Sequence, residues 1–276
     1  MSSFKNNSLE NNSPENNGVR IVYDDVGSGN AVLFIHGHPF NRTMWQPQVQ
    51  ALRWKYRTIA PDLRGYGQSS VGPEAANTLE IMAADLAYLL DRLSVKRVCV
   101  VGLSMGGQIA MEFGRAYPER TAAAVFAATF PQAETPEGVE LRKKMADRFE
   151  NEGMPGPGSE MLTKLIGPAS LKKLPSIPAN VYQMICATNP AGAAAAVRGR
   201  AMRRDYRESL KVFRFPCMIV FGADDAYTTR EQAEGMHAAI ANSQLEIFEG
   251  VGHMPNLEDE DRFNRRLHQF LASVQW

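Results

Sequence analysis

A chain of 276 residues has room for one large α/β unit or two small ones, and 44% apolar against 22% charged residues is the balance of a globular protein with a sizeable core. Thirty basic residues offset thirty acidic ones, so the formal charge is zero and there is no electrostatic case for nucleic acid or an anionic membrane as partner. No apolar run reaches membrane-span length, the N-terminus lacks the pattern of a secretory signal, and Cys99, Cys186 and Cys217 show no spacing for a disulfide framework or a metal site; a reducing cytoplasm is the expected home.

Residues 1–17 are mostly Asn, Ser and Glu. They offer too little apolar surface to offset the entropy of ordering, and a disordered polar tail is expected there. Asn17-Gly18 signals a turn, and 19–26 reads as a strand. Ala31-Val32-Leu33-Phe34-Ile35 is apolar throughout, as a parallel strand buried on both faces must be. It runs into His36-Gly37-His38-Pro39-Phe40. The spacing of Trp45, Val49 and Leu52 predicts a helix over 44–54. A short strand follows at 57–60, then the loop Pro61-Asp62-Leu63-Arg64-Gly65-Tyr66-Gly67-Gln68-Ser69, in which Asp62 and Arg64 are expected to tie down the turn. Periodicity predicts a helix over 79–93.

The most informative stretch comes next. Val98-Cys99-Val100-Val101 reads as a buried strand, and Gln108-Ile109-Ala110-Met111-Glu112-Phe113 as a helix. Between them lies Gly102-Leu103-Ser104-Met105-Gly106. A strand that turns straight into a helix needs clearance, which the two glycines supply. The tight corner lifts the Ser104 hydroxyl out of the sheet and aims the free N–H groups of the new helix at the same place. A small-residue strand is predicted over 121–128.

After it the strand–helix alternation breaks down. Residues 131–206 read as an inserted helical lid in which Met145, Met154, Met161, Met184 and Met202 fall; flexible thioethers suit an adaptable apolar wall. The alternation resumes with a strand over 216–221, ending in Gly222-Ala223-Asp224-Asp225, a helix over 229–240, a strand over 245–248 and a closing helix over 257–270. Between the last two lies Gly250-Val251-Gly252-His253-Met254-Pro255. The reading is therefore an α/β core of 18–130 and 207–276, mostly parallel and covered by helices on both faces, with the lid at 131–206.

Sites in such sheets lie beyond the carboxyl ends of the strands, and Ser104, the Asp224-Asp225 pair and His253 each follow a strand directly. Serine is a poor nucleophile at neutral pH and needs a base. Of five histidines His253 is the best placed, since His237 and His268 fall inside helices and His36 ends a strand. A carboxylate must hold the imidazole in the right tautomer. The spacing Gly222-x-x-Asp225 favours Asp225, with Asp224 as the alternative.

Four features together resemble the α/β-hydrolase superfamily: the Gly-x-Ser-x-Gly elbow, the His36-Gly37 loop, Gly-x-x-Asp after a strand and Gly-His after the last strand. The loop Pro-Asp-x-Arg-Gly-x-Gly-x-Ser at 61–69 is also similar to that family. The likeness runs from about residue 19 to the C-terminus, loosely across the lid, and is greatest to the branch of 3-oxoadipate enol-lactonases, arylesterases and cofactor-free haloperoxidases. It implies a Ser104, Asp225, His253 triad and an oxyanion hole made by the N–H groups of Met105 and His38. It also implies an edge strand near the N-terminus, for which 1–17 show no apolar alternation, and a supporting role for His36. Phe40 and Met254, in the two His-Gly-type loops, and Met145 and Met184 of the lid are the expected substrate contacts. Relatives that open epoxides or cleave carbon–halogen bonds carry aspartate at the elbow, and Ser104 argues against both. The implied function is hydrolysis of a small carboxylic ester or lactone through an acyl-serine, with no metal or organic cofactor. A C–C bond hydrolase of a diketone-like metabolite and a ligand receptor on the same fold are the alternatives. Arg198, Arg200, Arg203 and Arg204 would bind a carboxylate if they faced inward; the reading adopted is a solvated helix face. Oligomeric state, including a homo-oligomer, stays open.

Overall fold

The computed structural model describes Glu15, Asn16 and residues 18–276. The polar stretch expected at 1–17 lies outside the described residues except for Glu15–Asn16 (β1), which pairs antiparallel with Val19–Arg20 (β2). Seven further strands form one sheet: Tyr23–Val26 (β3), Ala31–Ile35 (β4), Arg57–Pro61 (β5), Val98–Leu103 (β6), Thr121–Ala127 (β7), Cys217–Gly222 (β8) and Ser243–Phe248 (β9). Their order is β3-β5-β4-β6-β7-β8-β9, with β3 antiparallel to β5 and every other pair parallel.

Period-2 alternation explains why the central strands are apolar throughout. In β4, Val32 and Phe34 enter one core while Ala31, Leu33 and Ile35 enter the other; in β6, Cys99, Val101 and Leu103 oppose Val98 and Val100. The first core is covered by Gln46–Leu52 (α1) and, at the chain's end, Glu260–Ser273 (α12). The second is covered by Leu79–Arg92 (α2), Met105–Ala116 (α3) and Arg230–Ala239 (α10). The inserted segment forms Pro136–Glu152 (α4), Pro155–Leu165 (α5), Pro168–Lys173 (α6), Ser176–Cys186 (α7) and Pro190–Ala201 (α8), followed by Arg207–Lys211 (α9). Phe149, Leu165, Val181, Ile185 and Val197 join the first core, so the insertion is packed onto the sheet's helices and loops rather than standing apart. Its backbone is pinned to the core loops: Asn77 N–H donates to Ala195 O at 2.8 Å, and His253 N–H to Leu165 O at 3.1 Å.

Several predicted elements change shape. The strand expected over 19–26 splits, because Val22 gives its N–H to Ser69 Oγ (2.9 Å) and its carbonyl to Asp62 N–H (2.8 Å) instead of to a neighbouring strand. The helix expected over 44–54 begins as a 3-10 turn, Arg42–Trp45, capped by Asn41, and α1 ends at Leu52, leaving Trp54 exposed. The closing helix breaks into Pro255–Glu258 (α11) and α12, because Asp259 leaves helical geometry to cap α12.

The 61–69 loop is held by charge, as expected. Asp62 accepts from the N–H groups of Arg42 and Gln68 (both 2.8 Å) and pairs with the Arg42 guanidinium. Arg64 forms a two-pronged pair with Asp85, both side chains 2% exposed, and reaches Glu74 at 2.8 Å. Removing one partner of such a buried pair costs about 3–5 kcal/mol.

The tightest approach in the fold is between β6 and α3. A Cβ on Gly102 would run into the carbonyl of Gly106, and one on Gly106 into the carbonyl of Ile35. Gly106→Ala is expected to destabilise the protein by about 3 kcal/mol, or more if backbone must move. That lowers the thermal midpoint by roughly 6–12 °C. Gly235→Ala, in α10 with open space around it, is expected to raise stability by about 0.5–1 kcal/mol. Thermal melts of the two variants beside the parent check both signs.

Candidate active site

Ser104 sits at the corner between β6 and α3 with φ 56° and ψ −116°, a left-handed conformation that a residue with a Cβ holds only when its surroundings enforce it. They do so on both sides of the residue. Its N–H donates to Ala127 O (2.9 Å), and its carbonyl accepts from Gln108 N–H (3.1 Å) and Thr129 Oγ1 (2.8 Å). The hydroxyl does not cap α3, so it is left for the cavity that Ser104 and His253 both line.

His253 and Asp225 come together from the ends of β9 and β8. His253 Nδ1 lies 2.8 and 2.9 Å from the two carboxylate oxygens of Asp225, with the side chains 3% and 0% exposed. The carboxylate can only accept, so Nδ1 carries the proton and donates, which leaves Nε2 as the free base. Burial pushes the Asp225 carboxyl up. The charge and hydrogen bond of His253, the Thr228 hydroxyl and the Tyr227 N–H outweigh it and hold the group below the usual aspartate value. Asp224 is exposed, and its contribution to the loop is its N–H, which donates to Val251 O at 2.9 Å. The structure thus places Asp225, not Asp224, on the imidazole.

Met105 opens α3, where the first N–H groups have no intrahelical acceptor, and its side chain is buried. Among the described residues neither its N–H nor that of His38 has an acceptor. The His38 loop is fixed by His36. His36 Nε2 accepts from Leu63 N–H at 3.0 Å, so Nδ1 holds the proton and donates to Gly37 O at 2.8 Å. Burial keeps this imidazole below its ordinary pKa, as a neutral bridge requires.

The cavity has a volume of about 290 Å³. Of the expected substrate contacts, Met145 lines it. Phe40 and Met254 do not: both are fully buried and packed in the first core, where they support the loops from beneath. Met184 is turned to a different concavity, beside Thr43 and Ile177. Met161 lines the cavity, whereas Met154 is core and Met202 is exposed. The arginines divide as well. Arg198 pairs with Glu150 (2.7 Å) and Arg204 with Glu80 (3.2 Å) on the outside, as a solvated face should. Arg200 and Arg203 overturn that reading: both are buried, and Arg200 lines the cavity with Arg142. The reason is that α8 has no single polar face. Gly199 packs against the backbone of Asn77, and residues 192–197 are buried all round.

Sequence reasoning also missed Glu258. Its carboxylate accepts from the N–H groups of Gly167 (2.9 Å), Gly252 (3.0 Å) and Met254 (3.0 Å), and so fixes the backbone on both sides of His253. Glu at the fourth residue of a Pro-capped turn was the available signal. Among the described residues no three His, Cys, Asp or Glu side chains gather in a way that could hold a metal ion.

A family model described as the alpha/beta hydrolase fold matches residues 30–260. The chain is similar to a thermophilic esterase from Thermogutta terrifontis, whose solved structure superposes with a TM-score of 0.90 at 34% identity, covering 92% of this chain and 93% of that one. It is 29% identical to 3-oxoadipate enol-lactonase 1 of Acinetobacter baylyi, over 89% of this chain and 90% of that protein. It is 31% identical to a non-heme chloroperoxidase of Kitasatospora aureofaciens, over 92% and 97%.

Glu134 stands between two arginines beside the cavity. Burial alone would raise its pKa, but the hydrogen bonds and charges of Arg203 and Arg142 hold it at about 2. Its contribution to stability is complete above its ordinary value of 4.5 and is lost as pH falls from there towards about 2. Glu134→Gln is therefore expected to lower the thermal midpoint most above pH ~5. Melts taken from pH 7 down to 2 should show the gap to the parent closing; a gap independent of pH would contradict this.

Proposed function

The chain belongs to the alpha/beta hydrolase fold family, and from that premise we propose that it is a serine hydrolase that cleaves a small carboxylic ester or lactone through an acyl-Ser104 intermediate. The observation that carries the reading is the meeting, at one cavity, of the strained Ser104 and a His253 whose proton is directed to Asp225. The likeness to an esterase and an enol-lactonase supports the same chemistry.

In this reading the Ser104 hydroxyl attacks the acyl carbon while His253 Nε2 takes its proton. The charge that develops on the carbonyl oxygen is met by the N–H groups of Met105 and His38, and Asp225 stabilises the imidazolium without taking its proton. Collapse of the tetrahedral species breaks the bond to the alkoxy group, which leaves with the proton from His253. Water then repeats the sequence on the acyl-enzyme, releasing the acid and restoring Ser104. For a lactone the leaving alkoxide stays tethered to the acyl group, and one hydroxy acid is the product.

The test is turnover of a short-chain 4-nitrophenyl ester. The parent is expected to show turnover, Ser104→Ala and His253→Ala to lose at least about a thousandfold in kcat, and Asp225→Asn to lose a comparable factor because its amide NH2 can donate to Nδ1, which moves the ring proton to Nε2 and removes the base. Turnover that survives Ser104→Ala would sink the assignment.

A further inference from the structure

The cavity above Ser104 is bordered by more positive charge than its neighbours neutralise. Three guanidinium groups, those of Arg142, Arg200 and Arg203, influence one another there, and the carboxylate among them is Glu134. Glu134 is engaged by Arg142 Nε and by Arg203 Nη1. Arg203 is further occupied by Gln132 O at 2.9 Å and by the face of Phe130. Arg200 is different. It is 9% exposed, its Nε donates only to the neutral Gln108 Oε1 at 3.2 Å, and its two terminal nitrogens have no acceptor among the described residues.

His38 adds a second unmatched group on the same cavity. Its ring is 6% exposed, Nδ1 is hydrogen-bonded to Tyr66 Oη at 2.7 Å, and Nε2 is buried without a partner among the described residues. Burial, and then the charges of Arg200 and Arg142, hold this imidazole well below its ordinary pKa. The Tyr66 hydroxyl has one proton, and its other contact is the Met105 thioether at 4.0 Å; given to Nδ1 at 2.7 Å, that proton leaves the ring's own on Nε2, where no partner among the described residues meets it.

An apolar acyl chain entering this cavity would strip water from Arg200, leave His38 Nε2 unpaired and return nothing. A carboxylate would supply the missing acceptor, and the planar fork of a guanidinium suits its two oxygens. Resting on the reading of Ser104 as an acyl-transfer nucleophile, we propose that the substrate carries a free carboxylate held by Arg200 with Arg142 and His38, so that the enzyme acts on monoesters of dicarboxylic acids or on lactones bearing a carboxylate. Arg200 and Arg142 are specificity-determining residues in this account, and the wall made by Met145 and Met161 covers the apolar chain between the carboxylate and the ester.

The experiment compares monoethyl glutarate with ethyl pentanoate, followed by ethanol release, in the parent, Arg200→Gln and Arg200→Lys. It is paired with calorimetric titration of glutarate and of its diamide into Ser104→Ala and into Ser104→Ala with Arg200→Gln. The parent is expected to favour the anionic ester in kcat/KM by roughly ten- to hundredfold, the value of a charge-assisted hydrogen-bond pair. Arg200→Gln should collapse that ratio chiefly through KM, Arg200→Lys should restore part of it, and glutarate should bind where the diamide does not, losing affinity in the double variant. Equal or better turnover of the neutral ester, or an equal effect of Arg200→Gln on both esters, overturns the carboxylate subsite and leaves the acyl-transfer reading standing. If neither ester is turned over, it is the acyl-transfer reading that fails, and the titrations alone decide: glutarate binding that depends on Arg200 supports the subsite, and no discrimination from the diamide overturns it. Should Arg200→Gln fail to fold, Arg142→Gln takes its place with the same expectations.

Discussion

Everything in this site depends on how closely the backbone of β6 passes the backbone of α3. Gly102 and Gly106 face each other with no room for a Cβ, and Gly106 lies equally close to the end of β4. That packing leaves Ser104 no relaxed conformation, so its φ of 56° is imposed by the fold and held by three hydrogen bonds. A residue kept in such a conformation costs of order 1–3 kcal/mol. The return is geometric: the hydroxyl stands clear of the helix it precedes, and the N–H groups that open α3 point toward the same volume. The β4 loop is drawn in by the same contact, because Gly106 packs on the carbonyls of Ile35 and His36.

The other half of the site is a second convergence, built from polar groups rather than close backbone contact. β8 and β9 lie side by side, so the loops that follow them carry Asp225 and His253 to one point. Glu258 then ties the His253 loop to Gly167 of the inserted segment through three backbone N–H groups. The insertion is therefore not a loose cover. Leu165 at the end of α5 accepts from His253 N–H, Thr188 just before α8 gives its hydroxyl to Pro39 O at 3.0 Å, and the same insertion brings Arg142 and Arg200 to the cavity. In the function proposed above, the core supplies the acyl-transfer apparatus and the insertion supplies the charge that selects a substrate.

The core was legible in the sequence because its physics is local. A β-branched run followed by Gly-x-Ser-x-Gly and an apolar helical repeat has few other solutions, and Asp225 and His253 could be found as polar residues directly after strands. Asp62 and Arg64 were readable from a turn full of glycine. What the sequence withheld is where tertiary packing overrides pattern. Arg200 lies on a helix of alanines and glycines whose burial follows from Gly199 meeting Asn77 and Gly192 meeting Gly65, contacts between residues over a hundred positions apart. With no apolar stripe to orient α8, four arginines at its end looked alike, although two face water and two do not. Phe40, Met184 and Met254 do not line the cavity for a related reason: an apolar residue near such a loop serves equally well beneath the loop as above it. Glu258 has only a local signal, its place as fourth residue of a turn opened by Pro255, and its role depends on backbone N–H groups as far away as Gly167.

The central claim is that Ser104 becomes covalently acylated. Parent enzyme mixed with a 4-nitrophenyl ester, quenched with acid within milliseconds and analysed by intact-mass and peptide mass spectrometry, tests it most directly. The account predicts one added acyl group, located on the peptide that carries Ser104, rising before steady state and disappearing as substrate is exhausted. Turnover with no adduct at any quench time, or an adduct on another side chain, would contradict it.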